Sequence, residues 1–270
     1  MGIVNVTPDS FSDGGLYLDA EAAIEHGLQL AAEGADILDV GGESTRPGAE
    51  AVSTEVELER TAPVIAALAA DREQTAAISI DTSKAVVAEA ALEAGASIVN
   101  DVTALRHDPD LAGVCAERGC EVVLMHMLGT PRTMQEDPSY DDVVDDVKAF
   151  LGARVEAAIA AGIAEERIWV DPGIGFGKTV EHNLELTRRL GEIGELGRPV
   201  VFGSSRKSHL GAVTGREVGE RLGATIASNV LALRAGADVL RVHDVAALAD
   251  AALTADVILG RREWRREAIG

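Results

Sequence analysis

Residues 78–101 read ISIDTSKAVVAEAALEAGASIVND and contain one complete strand–helix–strand unit. The apolar run Ile78–Ile80 predicts a buried strand, and apolar residues at helical spacing over Lys84–Ala94 predict a helix after it. Gly95-Ala96 is a typical helix stop, and a second apolar run begins at Ile98. A strand, a crossover helix and another strand in this order predict two parallel neighbouring strands.

The same unit recurs along the whole chain. Eight short apolar runs each end in a polar or Gly-rich cluster: Ile3–Val6, Ile37–Val40, Ile78–Ile80, Ile98–Val99, Val122–Met125, Ile168–Val170, Val200–Phe202 and Val239–Val242. Stretches of helical periodicity separate several of them, among them Ala20–Ala32, Glu55–Ala70, Val143–Ala161 and Arg221–Ala235. Nearly continuous apolar strands are typical of a parallel sheet covered on both faces, and eight strands close a barrel. The sequence therefore predicts an α/β protein, a single (β/α)8 TIM barrel over residues 1–260, followed by a short basic tail over residues 261–270.

The length and composition agree with one barrel. The 270 residues are 47% hydrophobic, and no linker or low-complexity segment divides them. No apolar run approaches the roughly 20 residues of a membrane span, and no signal peptide is evident, which predicts a cytoplasmic protein without a membrane partner. Cys115 and Cys120 are the only cysteines. Their spacing matches neither a CxxC pair nor a zinc half-site, so we expect buried thiols.

The chain is strongly acidic, with 45 Asp and Glu against 24 Lys and Arg and a formal net charge of -21. Phosphate groups would be repelled by this charge, which argues against nucleic acid as a partner. An acidic surface with few lysines is typical of proteins that work in concentrated salt, but it is also an ordinary solubility feature. Both explanations remain open from the sequence.

The active site of a barrel lies at the carboxyl ends of its strands, and polar residues follow nearly every predicted strand here. They include Asn5, Asp81, Asn100, His126, Asp171, Arg241 and His243. Each one alone has a structural explanation, since Asn100 can cap a helix and His126 can be a core histidine. Their shared position at one rim favours a ligand site.

The seventh predicted strand leads into Gly203–Ser208, which contains two cations and three hydroxyls between small residues. Such a stretch suits an anion or an acidic edge, although it is also typical of a solvated turn. Arg241 and His243 stand at alternate positions of the last strand, point the same way and suit a diphosphate. The amide oxygen of Asn5 suits Mg²⁺ on that diphosphate.

The ends of the central strands suit a flat heterocycle. Asp81, Asn100 and Asp171 offer carboxylates and an amide to the N–H and amide edge of a ring such as a pterin. Phe176, on the glycine-rich loop 173–177, is a fair wall for that ring.

Eight segments of the chain resemble the dihydropteroate synthase family. They are GIVNVTPDSFSDGG (2–15), GGESTRPG (41–48), ISIDTSK (78–84), IVNDV (98–102), MHMLGTP (125–131), DPGIGFGKT (171–179), GSSRKS (203–208) and RVHDV (241–245). The resemblance implies a (β/α)8 barrel that joins p-aminobenzoate to 7,8-dihydropterin-6-ylmethyl diphosphate and releases pyrophosphate. It also implies a Mg²⁺ cofactor, inhibition by sulfonamides and a homodimer formed through the later helices.

The resemblance also assigns residues to each part of the reaction. It implies Asp81, Lys207, Arg241 and His243 as the catalytic set. The expected pterin contacts are Asp81, Asn100, Met125, Asp171 and Lys207. The expected diphosphate and metal set is Asn5, Arg241 and His243, with Asp9, Ser10 and Phe11 of the first loop as further substrate contacts. The expected p-aminobenzoate contacts are Thr45, Arg46, Pro47, Phe176, Lys207 and Ser208.

The chemistry of that reaction requires no strong nucleophile, and no nucleophile–base–orienter triad is evident in the chain. Three alternatives remain beside it. A pterin-dependent methyltransferase of the same barrel superfamily would share the Asp and Asn contacts but would not need the Ser-Arg-Lys stretch. A barrel enzyme acting on a phosphorylated sugar or indole precursor would carry a Gly-rich phosphate loop after strands seven and eight. A non-catalytic folate-binding protein would bind pterin without releasing pyrophosphate.

Overall fold

A computed structural model describes residues 1–6, 16–45 and 48–264, with only the backbone for residues 16–19. Eight strands lie within these ranges. They are β1 (Gly2–Asn5), β2 (Ile37–Gly41), β3 (Ala77–Asp81), β4 (Ile98–Asp101), β5 (Glu121–Met125), β6 (Ile168–Asp171), β7 (Val201–Phe202) and β8 (Val239–Leu240). All pairings between them are parallel, as the sequence predicts.

The strands close into a barrel in chain order. Strands β1 to β6 form one continuous sheet, and β7 pairs with β8. A parallel bridge between Val170 and Val200 joins β6 to the approach of β7, and a bridge between Gly2 and Val242 joins the end of β8 to β1. The Ile3 amide donates to the Val242 carbonyl at 3.0 Å, which seals this last junction. The predicted (β/α)8 TIM barrel is therefore confirmed.

Helices cover the outside of the barrel. The described residues form α1 (Leu16–Ala32), α2 (Thr54–Ala70), α3 (Ala85–Ala94), α4 (Leu111–Arg118), α5 (Val143–Ala160), α6 (Val180–Arg188), α7 (Leu190–Gly194), α8 (Ser208–Thr214), α9 (Leu222–Ala235) and α10 (Val245–Ile258). The predicted glycine stop of α3 is present, because Gly95 adopts φ 118° and a Cβ there would lie 2.6 Å from Ala69. No helix of the described residues is long and apolar enough to cross a membrane.

The interior of the barrel is apolar at the amino ends of the strands and polar at the carboxyl ends. A small cluster of Met1, Ile37, Ile98, Val123 and Val201 fills the amino-terminal end. The larger core lies between the strands and the helices, where side chains such as Leu38 and Phe202 are fully buried. The polar strand ends therefore face an open end of the barrel, which we call the barrel mouth.

Two further predictions concern the ends and the cysteines. Cys115 and Cys120 are buried free thiols, as expected. Residues 261–264 follow α10 without regular helix, and residues 265–270 lie outside the described ranges. The division into a barrel over residues 1–260 and a basic tail over residues 261–270 stays a prediction.

Candidate active site

Four strands contribute to a hydrogen-bonded ionic cluster at the barrel mouth. Arg241, which follows β8, donates from Nε to Asp39 Oδ2 at 2.6 Å and from Nη2 to Asp81 Oδ2 at 2.9 Å. Asn100 of β4 donates from Nδ2 to the same Asp39 oxygen at 3.1 Å. Because β2, β3 and β4 are neighbours and β8 closes onto β1, these contacts tie opposite sides of the barrel together.

The surroundings of Asp81 bring the pKa of its carboxyl group close to neutral pH. Burial raises the pKa of Asp81 to about 7, and Asp39, Glu57 and Asp101 act in the same direction against the opposing charge of Arg241. Burial alone would lower the pKa of Arg241, but the Asp39 and Asp81 carboxylates outweigh it and raise that pKa. The site thus holds a permanent cation beside a carboxyl group that exchanges its proton near neutral pH.

A second group of charges lies across the mouth, where β6 and β7 end. Asp171 Oδ1 accepts a hydrogen bond from the Gly173 amide at 2.6 Å. Lys207 donates from Nζ to the Ile174 carbonyl and lies 4.7 Å from the centre of the Phe176 ring. Burial raises the pKa of Asp171 and lowers that of Lys207 to about 8, although each charge partly offsets the shift of the other.

Two buried residues, Lys178 and His126, form hydrogen bonds next to the glycine-rich loop after β6. Lys178 Nζ is hydrogen-bonded to His126 Nδ1 at 2.8 Å and donates to the Phe176 carbonyl at 3.0 Å. Burial lowers the pKa of His126 to about 2, and the positive charge of Lys178 acts in the same direction. Burial also lowers the pKa of Lys178 well below its ordinary value. Gly173 has φ 66°, and a Cβ there would lie 1.9 Å from the His126 carbonyl oxygen. His126 is therefore a satisfied core histidine that supports this loop.

The two cations of the turn at residues 203–208, Arg206 and Lys207, have different partners. Arg206 has φ 59° and forms a two-point ion pair with Asp244, with Nε 3.0 Å from Oδ2. Lys207 instead points into the mouth. The hydroxyl of Ser205 lies 3.0 Å from His243 Nδ1 and accepts from the His243 amide at 3.2 Å, which orients that ring. Of the two cations in this stretch, Arg206 is therefore paired with a carboxylate, and anion binding by Lys207 stays a prediction.

Lys84 contacts both ends of the segment over residues 43–52, which follows β2. Lys84 Nζ donates to Glu43 at 2.6 Å, to the Val52 carbonyl at 2.8 Å and to Glu57 at 2.5 Å. Burial would lower the pKa of Lys84, but the hydrogen bonds to the two glutamates raise it above its ordinary value. Thr45 lies within this segment and lines a cavity of about 430 Å³ that also contacts Asp81.

A family model described as pterin binding enzyme matches residues 1–243. A dihydropteroate synthase from Synechocystis sp. is 45% identical over 266 residues, which cover 98% of this chain and 90% of that protein. The chain belongs to the dihydropteroate synthase family. The structure of the Xanthomonas albilineans dihydropteroate synthase with 4-aminobenzoic acid has a TM-score of 0.90 at 50% identity, over 96% of this chain and 92% of that one.

A sulfonamide complex of the Yersinia pestis dihydropteroate synthase gives the same TM-score of 0.90 at 41% identity, over 96% of this chain and 94% of that one. The family resemblance predicted from the sequence is therefore confirmed, and the chain is a transferase of the dihydropteroate synthase family. The matches favour this activity over the methyltransferase, sugar-phosphate and non-catalytic alternatives.

The structure brings most of the predicted dihydropteroate synthase site to one end of the barrel. The residues found at or just after the carboxyl ends of strands are Asn5, Thr45, Asp81, Asn100, Met125, Asp171, Phe176, Lys207, Ser208, Arg241 and His243. Asp9, Ser10, Phe11, Arg46 and Pro47 lie outside the described residues. The individual roles of all these residues stay predictions.

Sequence reasoning missed three charged residues that organise the site. In the sequence, Asp39 lies within an apolar run, Lys84 lies at a helix start, and Lys178 lies in the segment DPGIGFGKT (171–179), and none of the three is predicted as a site residue. A signal was available for Asp39, because a carboxylate in the middle of an otherwise apolar strand is rarely buried without a charged partner.

Proposed function

We propose that this chain condenses 7,8-dihydropterin-6-ylmethyl diphosphate with p-aminobenzoate to give 7,8-dihydropteroate and pyrophosphate. The observation that carries the proposal is the pair of charge groups facing each other across the mouth. Asp81 and Asn100 end β3 and β4 on one side, Asp171 and Lys207 follow β6 and β7 on the other, and Arg241, which follows β8, is hydrogen-bonded to Asp81. This arrangement offers acceptors to the N–H groups of a pterin and cations to the diphosphate that it carries.

The apolar wall of the mouth supports a flat ring between these groups. Met125 packs with Val102, Met127 and Met134, and Phe176 packs against this small cluster. A methionine-rich wall adapts to a planar ligand, and the polar residues at its edge fix the orientation of that ligand. We assign Asp81, Asn100, Asp171 and Lys207 to the pterin and Met125 to its face.

The p-aminobenzoate site is proposed on the outer side of the same lysine. The Lys207 ammonium lies over the Phe176 ring, so one cation borders both the pterin pocket and an aromatic surface. Ser208 is exposed at the start of α8, next to Lys207 in the chain. With Thr45, and with Arg46 and Pro47 beyond the described residues, these groups form the proposed arylamine and sulfonamide site.

The donor set fits a Mg²⁺ ion that arrives with the diphosphate. Among the described residues, no three His, Cys, Asp or Glu side chains form a metal-holding group. Asn5 ends β1 at the mouth and offers one amide oxygen. Mg²⁺ commonly keeps several waters and takes one or two protein ligands together with substrate phosphates, so one amide oxygen is enough. When bound, the ion would neutralise the diphosphate charge, with Arg241 and His243 as the neighbouring protein groups.

The residues then act by position and charge. The bond between the exocyclic methylene carbon and the diphosphate oxygen breaks, and the electron pair leaves with the diphosphate, towards Arg241 and His243. The remaining cation is delocalised into the pterin, which Asp81, Asn100 and Asp171 hold in the low-dielectric mouth. The arylamine nitrogen attacks the methylene carbon from the side of Phe176 and then loses one proton to solvent. Proximity and electrostatic stabilisation are the main catalytic effects in this scheme.

A pyrophosphate-release assay tests the proposed reaction. We expect pyrophosphate only when both the pterin diphosphate and p-aminobenzoate are present, together with Mg²⁺. Sulfonamides should raise the KM for p-aminobenzoate without competing against the pterin diphosphate. Pterin binding without pyrophosphate release would instead support the non-catalytic alternative.

We also propose that the chain forms a homodimer through α6, α8 and α9. These helices border a groove of about 650 Å³ lined by Leu184, Leu210, Val213 and Leu231, among others. Val213 is 60% exposed and Leu231 is 56% exposed, which is unusual for large aliphatic residues that share one groove. Light scattering should give a dimer mass, and Leu231→Glu should give a monomer. A monomeric parent protein would contradict the proposal. The predicted cytoplasmic location stays a prediction.

A further inference from the structure

We infer that Asp39 is a positioning residue for the pterin diphosphate. It holds Arg241 and Asn100 in place while Asp81 exchanges its contacts with the substrate. The inference rests on the proposed function, because it concerns how the proposed pterin and diphosphate contacts are kept aligned. Neither the sequence motifs nor the proposed substrate contacts assign a role to Asp39.

Asp39 binds two residues of the proposed site through one shared carboxylate oxygen. Asp39 Oδ2 accepts from Arg241 Nε at 2.6 Å and from Asn100 Nδ2 at 3.1 Å. One carboxylate oxygen therefore fixes both the proposed diphosphate cation and the proposed pterin amide. The other carboxylate oxygen of Asp39, Oδ1, is buried without a hydrogen-bond partner among the described residues. Burying a carboxylate is unfavourable unless it is paired, so the contact with Arg241 must compensate for that cost.

The Asp39 and Asp81 carboxylates lie at different depths in the barrel mouth. Asp39 is 0% exposed, whereas the side chain of Asp81 is 10% exposed. In the strand register Asp39 pairs with Ser79, two residues before Asp81 along β3. A ligand entering the mouth reaches Asp81 and leaves Asp39 covered. When Asp81 accepts hydrogen bonds from a pterin, the Nη2 contact of Arg241 becomes exchangeable, but the Nε contact with Asp39 remains.

The negative charge of Asp39 also affects the protonation of Asp81. Asp81 is surrounded by Arg241 from β8, Asp39 from β2, Glu57 from α2 and Asp101 from β4, with Lys207 across the mouth. Asp39 is one of the anions that raise the pKa of Asp81. Removing that negative charge should therefore lower the pKa of Asp81. Substrate binding that depends on ionised Asp81 should then persist to lower pH.

Asp39→Asn tests the inference, with Ser79→Ala as the matched control. Ser79 is equally buried in the same layer and is the cross-strand neighbour of Asp39, but its hydroxyl has no hydrogen-bond partner among the described residues. We expect Asp39→Asn to lower kcat/KM for the pterin diphosphate about 10- to 100-fold, as for a lost charge-assisted hydrogen bond. The KM for p-aminobenzoate should stay within about twofold, and the acid limb of kcat/KM should move to lower pH. Ser79→Ala should change neither kcat/KM for the pterin diphosphate nor the position of its acid limb.

The outcomes separate this inference from the proposed function. If the parent protein releases no pyrophosphate, the proposed function fails. If the parent is active and Asp39→Asn behaves like Ser79→Ala, or the acid limb does not move, the positioning role is wrong.

A second measurement covers the case in which Asp39→Asn does not fold alone. In an Arg241→Met background, Asp39 is a buried carboxylate without its cation, so adding Asp39→Asn should raise the melting temperature. An unchanged or lower melting temperature would show that the two residues are not coupled and would overturn the inference.

Discussion

Replacing Lys84, which joins both ends of the segment that follows β2, should destabilise the protein. Its ammonium contacts Glu43 before the segment, Val52 after it and Glu57 on α2. Lys84→Met removes all three hydrogen bonds. It leaves Glu57, whose side chain is 1% exposed and whose Oε1 already has no described partner, as a buried charge without its cation.

The size of the effect follows from that burial. Removing one partner of a buried ion pair costs about 3–5 kcal/mol. At roughly 2–4 °C per kcal/mol for a chain of this size, the melting temperature should fall by about 6–20 °C. The exposed pair between Lys148 and Glu195 provides the control, because its nitrogen and oxygen are also 2.5 Å apart. Lys148→Met should cost less than about 1 kcal/mol, since exposed pairs are screened by solvent.

Urea unfolding, followed by circular dichroism, measures the stability of both variants. The pyrophosphate assay measures how each substitution changes the KM values for the two substrates. The double variant Lys84→Met with Glu57→Gln should recover part of the lost stability, because no buried charge remains unpaired. Lys84→Met should also raise the KM for p-aminobenzoate more than that for the pterin diphosphate. Equal losses from Lys84→Met and Lys148→Met would refute the argument from burial, and equal changes in both KM values would refute the argument about the segment.

Four further predictions test other parts of the molecule. Asn5→Ala should weaken the response of turnover to Mg²⁺, and unchanged metal titration curves would contradict a metal role. Lys207→Met should reduce pterin affinity by about 1.5–3 kcal/mol in calorimetry. In the parent protein kcat/KM should fall as Lys207 loses its proton near pH 8, and this limb should be missing in the variant. Gly173→Ala should displace the glycine-rich loop and lower both pterin affinity and melting temperature, because the added methyl overlaps the His126 carbonyl. The melting temperature should rise between about 0.1 and 2 M KCl as salt screens the net charge of -21, and a flat or falling curve would leave the acidity as a solubility feature.

The fold was predictable from the sequence because its signals are local. Each strand is a short apolar run, and Gly95 ends α3 in the left-handed conformation that is typical of the predicted helix stop. The barrel then follows from counting the repeated units, since strand order in a (β/α)8 barrel equals chain order. The positions of Asp81, Asn100 and Asp171 follow from the same count.

The pairings inside the site were not predictable in the same way. Asp39 and Arg241 are 202 positions apart, and nothing local to either residue indicates the other. The opposite directions of Arg206 and Lys207 depend on the positive φ of Arg206 and its ion pair with Asp244. A sequence pattern shows only two adjacent cations there. Local spacing thus predicts which residues reach the mouth, whereas their partners depend on tertiary closure.

The strands that close the barrel are also the shortest. Strands β7 and β8 have two residues each, and single bridges join them to β6 and β1. Lys207, Arg241 and His243 follow these two strands, so much of the proposed diphosphate site stands on the sector with the shortest regular strands. Such a sector opens at the lowest free energy, in local fluctuations that leave the rest of the barrel folded. A ligand that bridges it stabilises the folded chain by mass action. Proteolytic lifetime should therefore depend on substrate supply, because an empty site exposes this sector more often than a filled one.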